Sequence, residues 1–470
     1  MSVLASKLDK FFKIKERGST ISKEILGGIT IFLAMVYVLP VNAGMLANTG
    51  MSFPAVFAAT ALAAAIATFV MGLVANYPVG LASGMGINAF FTFTVVGGVG
   101  YGLGFSWQEA LAAVLVSGIL FLVISITGLR RIVINAIPKD LKLAVGAGIG
   151  FFIAFIGLKN AGIIIGDGAT FVKIGNLAHP TVLLGVFGII LVFILFALNK
   201  KISRFAIIIS ILITGIIGLL IGLIFKDLAL IMPALGGANL GDIGQLGGTI
   251  GAAFAALPSL LANPLSYAVI FTFLFVDFFD TAGTLVAVGH DAGLLDKNGE
   301  LINGDKALLA DATGTIVGAV LGTSTVTSYI ESTTGIQQGA RTGLAAVTVG
   351  FLFIVALIFY PLFSLVNGID IGGGVFLAPV TAMALVFVGA LMVSSLKEIN
   401  WQDGIIVAST FITILFMVLS FSIAEGIAFG FVFYVLMMLV STRRKEVSPV
   451  MYILAVLFII NFVIKFTVLG

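Results

Sequence analysis

The stretch Phe275-Val276-Asp277-Phe278-Phe279-Asp280-Thr281-Ala282-Gly283-Thr284 places two carboxylates three residues apart inside an apolar run covering 266–290. A helix long enough to cross the hydrocarbon of a bilayer needs about 20 such residues. On a helix, a three-residue step puts both acids on one face. An ionisable group at that depth is costly, and it marks a binding or proton-transfer position. Two close carboxylates in a dry site do not both ionise readily, so one of them is expected to hold a proton near neutral pH.

Working outward, the same kind of run recurs along the chain. The first half reads as crossings at 25–48, 53–75, 78–99, 109–129, 141–160, 181–198 and 204–225. The second half reads as 266–290, 306–321, 324–340, 342–366, 373–396, 403–421 and 424–442, and one more apolar stretch lies at 449–469. The first run follows a basic segment and continues at full length, which reads as a crossing and not as a cleavable signal.

Composition agrees. The 470 residues are 60% apolar and only 10% charged, with 57 glycines and 41 phenylalanines. An average globular chain is about 25% charged. So little charge cannot wet a soluble surface, which excludes a soluble Rossmann or barrel enzyme. A net charge of +3 excludes a nucleic-acid binder. The absence of cysteine removes disulfides, zinc–thiolate sites and iron–sulfur clusters. His179 and His290 are too scattered for a metal site, so neither metal nor cofactor is expected. The long continuous runs argue against a transmembrane β-barrel.

Charge also sets the orientation. With the N-terminus in the cytoplasm, 20 of the 24 basic residues fall inside, the other four being Lys159, Lys173, Lys226 and Lys465. That distribution fits fourteen crossings of the cell membrane.

Fourteen divides into seven and seven, and an odd number inverts the second copy. Ala43-Gly44-Met45-Leu46 in the first crossing matches Ala282-Gly283-Thr284-Leu285 in the eighth. Gly86-Ile87-Asn88-Ala89 in the third faces Tyr329-Ile330-Glu331-Ser332 in the tenth. The third and tenth crossings are themselves unusual. Three glycines lie within Gly80–Gly86, and Gly322–Ile330 is β-branched and polar. An extended piece followed by a half-helix suits both, with irregular backbone shielded by protein or lining a cavity. Half-helix N-termini would then aim their N–H groups at a ligand. The plain alternative for 322–334 is an exposed Ser/Thr-rich loop.

Asp277, Asp280, Asp311 and Glu331 lie inside apolar runs. Asp280 and Glu331 are read as ligand or proton groups. Asp277 is read as either a ligand group or a partner across the bundle, and Asp311 as a gating or helix-bonding group. Asn88 offers a neutral donor and acceptor, with an interhelical hydrogen bond as its simpler role.

These residues resemble the nucleobase–ascorbate transporter (nucleobase:cation symporter-2) family in its adenine/guanine/hypoxanthine permease branch. The resemblance covers about residues 20 to 442. It is most specific at Gly27–Tyr37, Gly84–Phe91, Phe275–Thr284 and Ser328–Ser332. It implies an all-α polytopic membrane protein of two inverted seven-segment repeats, divided into core and gate. The core would be 25–129 and 266–366, and the gate 130–225 and 367–442. These would be flanked by a cytoplasmic N-terminus at 1–24, an outside loop at 226–265 and a terminal apolar segment at 443–470. The resemblance further implies a purine site lined by Asp280, Glu331, Asn88, Asp277, Gly86, Phe90, Phe279 and Thr284, with Glu331 or Asp280 carrying the proton. It implies no catalysis, a purine and a proton as partners in the bilayer, and association as a homodimer. Asp280-Thr281-Ala282-Gly283-Thr284 departs from the Glu-x-x-Gly-Asp of the uracil and xanthine branch, which favours purines. A uracil or xanthine permease, or an anion carrier of the sulfate-permease kind, are the alternatives.

Overall fold

The computed structural model describes residues 3–97, 102–127, 137–203, 205–233, 239–296, 301–363, 369–371 and 376–469. Helix starts follow local capping chemistry. After α1 (Val3–Phe12), Thr20 opens α2 (Ile21–Met35) by accepting from the Lys23 amide. Val36 and Tyr37 turn the chain into α3 (Val38–Ala47), so the first crossing consists of two helices. Ser52 caps α4 (Phe53–Val70), with Pro54 in the first turn. This helix is dense in buried alanines, among them Ala58, Ala59, Ala61, Ala63 and Ala64, which let neighbours approach closely. A π-helical turn, Met71–Ala75, extends it, and the chain leaves at Asn76 with φ +57°. There Asn76 donates to the Phe12 carbonyl (2.8 Å) and accepts from the Gly343 amide (2.7 Å).

The third crossing is short and irregular: strand β1 (Leu81–Ser83), then α5 (Met85–Ala89), then a π-helical stretch Phe90–Val96. Helices α6 (Trp107–Thr127) and α7 (Lys139–Asn160) follow. A small hairpin, β2 (Ile164–Asp167) and β3 (Phe171–Ile174), leads to α8 (Pro180–Ala197) and α9 (Ala206–Ile224).

The second half opens with α10 (Leu265–Ala292), which ends on Gly293 at φ +71°. Then come α11 (Gly304–Leu321), β4 (Val326–Ser328) and α12 (Gly343–Ala356). A two-residue pairing, Ile369–Asp370 with Phe376–Leu377, precedes α13 (Pro379–Val393). The chain closes with α14 (Gly404–Leu419), α15 (Ile423–Val440) and α16 (Pro449–Leu469).

Among the described residues, eleven helical stretches are long and apolar enough to cross a membrane. The chain is therefore an all-α polytopic membrane protein. One of the eleven, Leu240–Ala262, falls within the expected outside loop. It is a chain of short helices (Leu240–Gly248, Ala252–Ala255, Leu257–Ala262), and its glycines hide it from a search for continuous apolar runs. The expected third, ninth, tenth and thirteenth crossings are not among the eleven. Two of these are broken by β1 and β4, α11 carries Asp305, Lys306 and Asp311, and α14 has 16 residues. The extended pieces expected in the third and tenth crossings are present as β1 and β4.

Two groups of helices pack tightly within themselves. In one, α11 lies against α4 and α6, α12 against α2 and α4, and α10 against α6. In the other, α13 lies along α7 and α8, α14 against α7 and α15, and α9 against α8 and α13. Close approach in the second group depends on small residues. A Cβ on Gly150 would come 2.7 Å from the Gly389 carbonyl oxygen, and one on Gly389 would clash with that of Gly150. The terminal α16 packs on α15 and α10, with Phe458 edge-on to Phe275 and Phe431.

Candidate substrate site

The site is built around the joint between β1 and β4. The strands pair antiparallel, Leu81 with Ser328, Ala82 with Thr327 and Ser83 with Val326. The Gly84 amide donates to the Thr325 carbonyl and the Tyr329 amide to the Gly80 carbonyl, both at 3.0 Å, extending the ladder at each end. Thr68 on α4 closes the remaining gap, accepting from the Leu81 amide (2.9 Å) and donating to its carbonyl (3.1 Å). Extended backbone deep in a bilayer persists only when its polar groups are satisfied in this way.

The four acids singled out in the sequence divide into two kinds. Asp280, half-buried on α10, accepts from Thr327 Oγ1 of β4 at 3.1 Å. Glu331, also half-buried, stands in the turn Ile330–Ser332 just after β4 and accepts from the Tyr37 hydroxyl at 2.8 Å. The other two are buried in protein contacts. Asp277 accepts from Thr315 Oγ1 of α11 at 2.9 Å. Asp311 accepts from the Ser328 amide and hydroxyl, both at 2.9 Å, and from Thr281 Oγ1 at 2.6 Å. Asp277 therefore turns to α11 while Asp280 turns to β4. Asp311 ties α10, α11 and β4 together.

Asn88 is wholly buried. Its Nδ2 donates to Asn42 Oδ1 (2.7 Å), and its Oδ1 accepts from Ser83 Oγ (3.1 Å). Asn42 in turn donates to Thr60 (2.7 Å) and Thr323 (2.8 Å). Gly86 lies against α7, where a Cβ would come 2.9 Å from Ile149. Phe90 is buried edge-on to Phe273, with centroids 5.0 Å apart. Thr284 is half-buried, one turn beyond Asp280. The side chain of Phe279 lies outside the described residues.

Sequence reading missed several contributors. Tyr37, Asn42, Thr60 and Thr323 are ordinary residues of membrane helices, and their roles depend on partners distant in sequence. Glu24 closes the N-terminal segment expected at 1–24. It is fully buried, accepting from the amides of Arg341 (2.8 Å) and Thr342 (3.1 Å). An acid in the first turn of a helix is ordinary capping chemistry, so only its burial sets it apart.

Two further features involve neighbouring elements. Phe421 is packed edge-on to Phe93 (5.5 Å) and Phe152 (5.3 Å), with the Lys159 ammonium 5.0 Å from its ring centre. An exposed stripe of α10 runs from Gly283 through Ala287 to His290, on the same face as Asp280. Among the described residues no group of three or more acids and histidines could hold a metal ion.

Residues 22–429 match a family described as "Permease family". The guanine/hypoxanthine permease PbuG of Bacillus subtilis is 46% identical over 462 residues, covering 96% of this chain and 99% of its own. The adenine permease AdeP of Escherichia coli is 39% identical over 456 residues, covering 97% and 96%. The transmembrane domain of the cyanobacterium bicarbonate transporter BicA shares the fold, with a TM-score of 0.57 at 14% identity, over 87% of this chain and 96% of that one. The chain belongs to the nucleobase:cation symporter-2 family of membrane permeases, in its adenine/guanine/hypoxanthine branch, and is a transporter and not an enzyme.

Proposed function

We propose that this protein imports purine nucleobases (adenine, guanine or hypoxanthine) together with protons, at a site between Asp280 and Glu331. The observation that carries this reading is the partial exposure of those two residues at the β1–β4 joint, where Asp277 and Asp311 are buried in contacts between helices. A carboxylate can accept two N–H bonds from the edge of a flat heterocycle. Thr284 and Phe279 continue the α10 side of the site. Asn88, Gly86, Phe90 and Asp277 support it from behind, and Asp311 holds helices together.

Transport follows from a difference in binding between two states. Protonation of Glu331 or Asp280 favours purine binding from outside. A core of 25–129 and 266–366 then moves against a gate of 130–225 and 367–442, and purine and proton leave to the cytoplasm. The two tightly packed helix groups support that division. The aromatic cluster at Phe421 and the exposed α10 stripe from Gly283 to His290 support a site open toward the cytoplasm.

The packing also supports fourteen crossings as inverted repeats. Exchanging each crossing for the one seven later turns the α2–α12 contact into α10–α6, the α7–α14 contact into α13–α8, and the α14–α15 contact into α8–α9. Basic residues support an N-terminus inside the cell, with 226–265 outside and 443–470 as an added apolar segment. The exposed apolar faces of α8 and α9, including Leu183, Ile190, Leu212 and Leu223, support two copies meeting through the gate.

An acidic site disfavours an anion carrier, and the purine permeases among the relatives disfavour a uracil or xanthine carrier. The test is uptake of labelled hypoxanthine, competed by a panel of purines and pyrimidines at several external pH values. Saturable, proton-gradient-dependent uptake blocked by purines is expected. Competition by uracil or sulfate alone would overturn the assignment, as would normal uptake by both Asp280→Ala and Glu331→Ala.

A further inference from the structure

Glu331 has two buried tyrosines nearby, and they do different work. Tyr329 donates its hydroxyl to the Ser83 carbonyl at 2.5 Å, so it braces β4 against the end of β1. Tyr37, 1% exposed, donates its hydroxyl to Glu331 Oε1. It stands where the first crossing passes from α2 to α3, 294 positions from its partner. A phenol hydroxyl given to a carboxylate is a charge-assisted bond. It fixes one carboxylate oxygen and leaves the other as the one that a substrate edge or a proton meets.

The repeat sharpens this assignment. Aligning Ala43-Gly44 with Ala282-Gly283 sets Tyr37 opposite Val276, while Asn88 stands opposite Glu331. The pair related to Tyr37 and Glu331 by the repeat is thus Val276 and Asn88, which lacks the hydroxyl and the carboxylate together. Asn88 instead donates its Nδ2 to Asn42 Oδ1. A phenol serving only to pack would not need a polar tip at this position.

We propose that Tyr37 is a positioning residue for purine uptake, orienting Glu331 through the bond to Oε1 and so setting the affinity for the nucleobase. The inference rests on reading Glu331 as part of the substrate site. The test uses the full chain in proteoliposomes with labelled hypoxanthine. Tyr37→Phe keeps the ring and removes the hydroxyl. It is expected to raise KM about 10-fold, with Vmax and the thermal unfolding midpoint near the parental values.

A second measurement follows hypoxanthine binding to purified Tyr37→Phe, Glu331→Gln and the double variant. If Tyr37 acts through Glu331, the double variant binds no more weakly than Glu331→Gln alone. A parental KM in Tyr37→Phe, with Glu331→Gln impaired, removes the role of Tyr37 and leaves the site intact. So does an equal loss from Tyr37→Phe in both backgrounds. A parental KM in Glu331→Gln overturns the site itself.

Discussion

The polar interiors of the two halves share a layout and differ in charge. In the first half, Asn42, Thr60, Ser83 and Asn88, with Thr323 reaching across, form a wholly buried network without an ionisable member. In the second, Thr281, Asp311 and Ser328 occupy the corresponding helix, helix and strand, and Asp277, Asp280 and Glu331 stand around them. On the proposed repeat, corresponding positions thus carry unequal chemistry. A neutral network can be fully satisfied once and left alone, whereas a carboxylate changes its needs with each proton. On the function proposed above, the neutral half is a fixed support and the acidic half holds the groups that change state.

That division can be broken by experiment. Glu331→Gln keeps the shape and removes the charge. Uptake is expected to fall about 100-fold, the loss of one hydrogen bond to a charged group at the upper end of its range, with thermal unfolding in detergent unchanged. Unfolding well below the parental temperature would make Glu331 a structural residue and erase the contrast.

Asp311→Ala tests the opposite assignment. It leaves the Thr281 hydroxyl and two Ser328 donors without their acceptor. A stability loss of about 3 kcal/mol or more is expected, read as a lowered unfolding midpoint. An intact midpoint with lost uptake would move Asp311 among the transport groups.

On the neutral side, Asn42→Ala removes one partner each from Thr60, Thr323 and Asn88. A loss of about 2 kcal/mol is expected, with the KM of the remaining folded protein close to parental. A changed KM would show that the first half also meets the substrate.

The smallest effect is expected far from both networks. Asp167, in the exposed β2–β3 hairpin, accepts from Lys173 Nζ (2.7 Å) and from the amides of Thr170 and Ala169. These bonds, the one from Lys173 foremost, hold its carboxyl down at about 2. Their support is present above the ordinary carboxylate range and fades as pH falls toward 2. Asp167→Asn should leave uptake unchanged and speed hydrogen exchange at the Ala169 and Thr170 amides, after correction for intrinsic rates. Reduced uptake would tie this hairpin to transport.

How much of this was legible beforehand follows from the range of the interactions. The acids could be read because a carboxylate inside an apolar run is conspicuous without any knowledge of its partner. The broken third and tenth crossings could be read because glycines and β-branched residues disfavour helix locally. Which acid faces the site could not be read. Asp277 and Asp280 are three residues apart in sequence, and only their partners, Thr315 on α11 and Thr327 on β4, separate their roles. Tyr37 and Asn42 carry no local signal at all.

The strand pairing also bears on how the chain is made. Leu81 has its partner in Ser328, 247 positions later. At about 5–20 residues per second, synthesis takes roughly 10–50 s to cover that distance. During that interval the extended backbone of β1 must be sheltered by something other than β4. The first half is thus an unfinished object until the second arrives, and a chain truncated before β4 is expected to be retained by quality control even though eight of the eleven membrane-length helical stretches precede that strand.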